Sequence, residues 1–118
     1  MARTPTKPPA TPTDSMLREA ALRHLARYAA TQAGLLRVLD RKIARWAASD
    51  AGDADQATQA RAAARVIVAR LAENGAVSDT AFAASRTTSL RRAGKSTRAI
   101  GAHLANRGVP QTIANGAR

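Results

Sequence analysis

Apolar residues recur three or four positions apart along most of the chain, the spacing that lines them up on one face of an α-helix. Leu17, Ala21, Leu25 and Tyr28 make the first such stripe, and Asp14 or Ser15 stands where an N-cap belongs, so a helix is predicted from there to about Ala30. Thr31 is the next N-cap, ahead of Leu35, Leu36, Leu39, Ile43 and Trp46 on a second helix ending near Ala48. Residues 49–55 break the pattern: Asp50, Gly52, Asp53 and Asp55 favour turns and put negative charge before the next helix N-terminus. A third helix, from about Gln56, carries Ala64, Ile67, Val68 and Leu71 on its apolar face and stops at Asn74-Gly75.

The second half repeats this organisation. Ser78 or Asp79 caps a fourth helix containing Phe82 and closed by Gly94, and Ser96 caps a fifth containing Ile100 and Leu104 and closed by Gly108. Pro110 suits the first turn of a sixth helix, which Asn115-Gly116 is expected to interrupt almost at once. The predicted fold is therefore all-α, a tandem of three-helix repeats. Residues 15–77 form the first repeat, 78–118 an incomplete second, and 1–14, with four of the five prolines, a disordered tail. Leu25, Leu39, Ile67, Leu71, Phe82, Ile100 and Leu104 are the expected core.

Composition supports the helical reading, because Ala, Leu and Arg dominate and there is one residue each of Trp, Tyr and Phe. The net charge of +11, from nineteen Lys/Arg against eight Asp/Glu, exceeds what solubility asks of a small domain and points to a polyanionic partner. The excess sits in two blocks. Residues 15–47 contribute +5, with Arg37, Arg41 and Arg45 at four-residue spacing on one helix face beside Lys42; residues 80–118 contribute +7 without a single carboxylate. The candidate partner-binding residues are accordingly Arg37, Arg41, Lys42 and Arg45 in the first block, and Arg86, Arg91, Arg92, Lys95, Arg98 and Arg107 in the second.

Catalytic and cofactor chemistry finds little to work with. There is no cysteine, which excludes disulfides and thiolate metal sites and is compatible with the cytoplasm. His24 and His103 stand apart from any acidic cluster at ligand spacing, and the acidic 50–55 loop lacks the terminal Glu of a calcium loop. Gly94-Lys95-Ser96 resembles the end of a phosphate loop, but Ser89 occupies the place of its upstream glycine, so a helix stop followed by a serine cap is the better reading. A non-enzymatic, monomeric protein without cofactor, metal or membrane span is expected.

Two ordered sets of residues resemble the RecX family of RecA recombinase regulators. Ala21-Leu22-Arg23-His24-Leu25-Ala26-Arg27-Tyr28 and Leu35-Leu36-Arg37-Val38-Leu39-Asp40-Arg41-Lys42-Ile43 look like its first repeat. The joint Leu71-Ala72-Glu73-Asn74-Gly75-Ala76-Val77-Ser78-Asp79-Thr80-Ala81-Phe82-Ala83 follows, then Ser89-Leu90-Arg91-Arg92-Ala93-Gly94-Lys95-Ser96-Thr97-Arg98-Ala99-Ile100 and Leu104-Ala105-Asn106-Arg107-Gly108-Val109, similar to the second. Ala76 replaces a usually larger apolar residue and Ser78 the first of an acidic pair. The family's third repeat has no counterpart before Arg118, which suggests a short form. The resemblance implies binding to the RecA filament on single-stranded DNA, and modulation, chiefly inhibition, of recombinase and coprotease activity in DNA repair and the SOS response. Basic helices that track phosphates suit that role. The alternative is a generic basic helical DNA-binding protein that uses the helix after Ser96 for recognition.

Overall fold

A computed structural model describes residues 12–117, and all of their regular structure is helical: α1 (Asp14–Arg27), α2 (Gln32–Ala47), α3 (Ala54–Glu73), α4 (Asp79–Arg92), α5 (Thr97–Asn106) and α6 (Gln111–Ala117). Most of the proposed proline-rich tail lies outside the described residues. Thr13, just inside that segment, is the N-cap of α1, accepting from the Met16 N–H, in place of Asp14 or Ser15.

Helices α1 to α3 close one core. Along α2 the predicted stripe buries Leu35, Leu39, Ile43 and Trp46, which pack chiefly against α3. The facing positions of α3 are Ala57, Ala60 and Ala64, whose small side chains admit the bulk of α2, followed by Val68 and Leu71. α1 inserts Leu17 and Ala21, and Val77 seals the base after the Gly75 turn. Leu25 and Ile67 are half-buried at the rim rather than central. α1 stops at Arg27, short of the expected Ala30, and leaves Tyr28 57% exposed outside the core.

Helices α4 to α6 close a second core of Phe82, Ala83, Ile100, Leu104, Val109 and Ala114. Asn115-Gly116 does not interrupt α6. Gly116 takes no left-handed conformation, and the helix continues to Ala117, with Ile113 and Ala117 half-buried against the second core. Local propensity at the pair is overridden by this packing. Ser78 and Ser96 are the N-caps, and Gly75, Gly94 and Gly108 end helices at positive φ.

The two cores share no residue, and the described body is elongated, 61 × 32 × 22 Å. A polar joint holds the repeats together at the start of α2. The buried Thr31 hydroxyl accepts from the Gly34 N–H at 2.9 Å and donates to the Arg107 carbonyl at 2.6 Å, so it caps α2 and takes up a carbonyl left over at the end of α5. From the first turn of α4, buried Asp79 accepts the Gln32 N–H at 2.8 Å, placing negative charge at the α2 N-terminus. Gly108 makes the close approach possible. A Cβ there would lie 2.4 Å from that of Ala33, and its φ of +80° already disfavours any other residue.

Candidate interaction surface

Arg37, Arg41 and Arg45 lie exposed along α2, with Asp40 half-buried on the neighbouring row. Arg37 reaches across the joint, its Nη1 donating to the Asn106 carbonyl at 3.4 Å, at the negative end of the α5 dipole. Arg41 and Arg107 line the same cleft between the repeats as Arg37, together with His24, Thr31 and Phe82. Next to it is a more apolar cleft of about 280 Å³, formed by Leu25, Tyr28, Val77, Ala81 and Phe82 and edged by Arg86. The Arg86 guanidinium sits 5.2 Å from the centre of the Phe82 ring, a cation–π contact, and has no carboxylate partner among the described residues. His103 reports the same crowding of positive charge. Burial lowers its pKa from the ordinary 6.5, and the neighbouring Arg107 and Arg86 lower it further.

Arg91, Arg92, Lys95 and Arg98 gather at the far tip of the second repeat, where every residue from Arg91 to Ala99 is exposed. Arg91 and Arg92 occupy the last turn of α4, where a cation favours the helix. Arg98 occupies the first turn of α5, which holds no acidic residue, and a cation there opposes the helix dipole. The charge of Arg98 therefore does nothing for folding and, like the exposed charge of Lys95, is available to a partner.

The ten candidate residues thus fall into two groups and a remainder. Arg37, Arg41 and Arg107 share one cleft with Arg86 beside it, and Arg91, Arg92, Lys95 and Arg98 share the tip. Half-buried Lys42 and exposed Arg45 lie farther along α2 and line neither cleft. Sequence reasoning missed His24, Tyr28 and Phe82 as cleft residues, and Asp79 as the group that joins the repeats. Its signal for Asp79 was an acid immediately after the Ser78 cap, which by itself predicts only a favourable first turn. Among the described residues no three His, Asp or Glu side chains are grouped to hold a metal ion, and no helix is long and apolar enough to cross a membrane.

The model of the second three-helix domain of RecX matches residues 78–117, which are the Ser78 cap and the α4–α6 unit. A curated relative, the regulatory protein RecX of Myxococcus xanthus, is 40% identical over 97 residues, covering 82% of this chain and 50% of the relative. The chain belongs to the RecX family. RecX proteins are regulatory proteins, and this chain spans about half the length of the curated relative it matches. No solved structure matches it. The RecX match ends at Ala117, so it takes in the short α6 whose Ala114 completes the second core.

Proposed function

We propose that this chain is a regulator that binds the RecA filament assembled on single-stranded DNA and limits its recombinase and coprotease activities in DNA repair and the SOS response. It acts in the cytoplasm, as a monomer and without catalysing a reaction. The observation that carries the reading is the family match joined to two groups of arginines with no carboxylate partner, the inter-repeat cleft and the α4–α5 tip. An elongated body of about 61 Å suits a groove walled by protein and floored by phosphates, where many weak, salt-sensitive contacts add up. Each repeat supplies a share of them. A generic DNA-binding role is the second reading, favoured by the exposed run from Arg91 to Ala99, which spans the end of α4 and the start of α5.

Co-sedimentation separates the two. The chain is expected to pellet with RecA assembled on single-stranded DNA, and to bind DNA alone or RecA alone much more weakly. Equal binding to bare DNA and to the filament would favour the generic reading.

A further inference from the structure

The two clefts at the joint adjoin and are taken together as one groove. They share Ala29, Ala30 and Phe82, and run from an apolar half to a cationic half. No carboxylate lines either half. We propose that this groove is a peptide-docking site, and that its occupant is an acidic segment of a partner protein that carries one aromatic or large aliphatic anchor beside its carboxylates.

The apolar half is open because small residues bound it. Gly75, Ala76 and Ala81 face the space between Tyr28 and Phe82, leaving about 280 Å³, enough for one large side chain and its backbone. Tyr28 is 57% exposed at its mouth, an aromatic ring that the first core does not use and that an inserted side chain would cover. Its ring already lies 5.0 Å from that of His24, which places the mouth of the apolar half against the cationic half.

The cationic half fixes the sign of the occupant. Among the described residues Arg41 and Arg107 line it without a carboxylate partner, and the one side-chain hydrogen bond of Arg37 goes to a carbonyl, which leaves its charge uncompensated. Guanidinium groups present paired donors that match carboxylate geometry, and arginine clusters beside an apolar pocket are a general mode of acidic-motif recognition. A nucleic-acid strand is the competing occupant, since a base can stack on an aromatic ring without pairing its edges, and competition with oligothymidine separates the two. The α4–α5 tip, at the other end of those helices and exposed throughout, is left to phosphates.

This inference does not depend on which filament or protein the chain regulates. The test is fluorescence anisotropy with the whole chain and a labelled peptide of six acidic residues around a central Phe, compared with the same peptide carrying Ala there. The Phe peptide should bind about tenfold or more tightly than the Ala peptide, the increment expected for burying one phenyl group. Ala81→Phe, which fills the apolar half from an exposed position on α4, should remove that difference while leaving the helical circular dichroism intact. Arg41→Glu with Arg107→Glu should weaken both peptides, and charge reversal at Arg91, Arg92 and Lys95 should weaken neither. Equal affinity for the Phe and Ala peptides, or an unchanged preference in Ala81→Phe, would overturn the proposal. So would an oligothymidine strand that displaces the peptide and loses its own binding in Ala81→Phe, since the groove would then belong to nucleic acid. Filament binding with no peptide binding would sink this site and leave the proposed function standing; peptide binding without filament binding would do the reverse.

Discussion

The Thr31 hydroxyl joins two helices at once, accepting from the α2 N-terminus and donating to the α5 C-terminus. Thr31→Val keeps the shape and removes both bonds, leaving a part-buried N–H and carbonyl without this partner. It is expected to cost about 1–3 kcal/mol in denaturant unfolding, whereas Thr31→Ser should cost much less. His103 gives the stability a pH dependence. Its folded pKa lies below the ordinary 6.5, so the unfolded chain takes up this proton first as pH falls. Its destabilising contribution is absent above about pH 6.5 and grows as pH drops from there toward the lowered folded value. The thermal midpoint should therefore fall between pH 7.5 and 5.5, and His103→Gln should flatten that fall. An equal fall in both proteins would show that His103 is not the group responsible.

At the scale of elements, the helix ends were the most legible feature. Thr31, Ser78 and Ser96 cap where a short hydroxyl precedes a periodic apolar run, and Gly75, Gly94 and Gly108 stop where the backbone needs positive φ. Those are local rules, and local sequence suffices to apply them. Tyr28 and the Asn115-Gly116 pair were misread because their state depends on distant packing. Tyr28 continues the α1 stripe in sequence, but the chain must turn at Arg27 to bring Thr31 to the joint. Ala114 holds α6 on the second core strongly enough to carry the helix through Gly116. Since Gly116 is helical with open space around it, Gly116→Ala should stabilise the chain, by at most about 0.5–1 kcal/mol. Destabilisation would mean that Gly116 ends the helix. The basic residues were legible as a set and not as an arrangement. Charge counting found Arg37, Arg41 and Arg107, but only the fold of one repeat against the other brings them into one cleft with His24 and Phe82.

For the whole molecule, two cores without a common residue are held by a few hydrogen bonds and the Gly108–Ala33 approach, so the relative placement of the basic groups rests on the joint. These groups are the ones proposed to bind a polyanionic filament. The most direct test is the salt dependence of filament binding for the parent and for a variant with Arg91, Arg92 and Lys95 all changed to Glu. Arg, Lys and Glu have similar helix propensity, so the helical signal should survive the change. Cations that meet phosphates release counterions on binding, at roughly 0.7–0.9 units of log–log slope each. The variant should bind far more weakly at moderate salt, with a slope shallower by about two units. A variant that matches the parent in affinity and slope would contradict it.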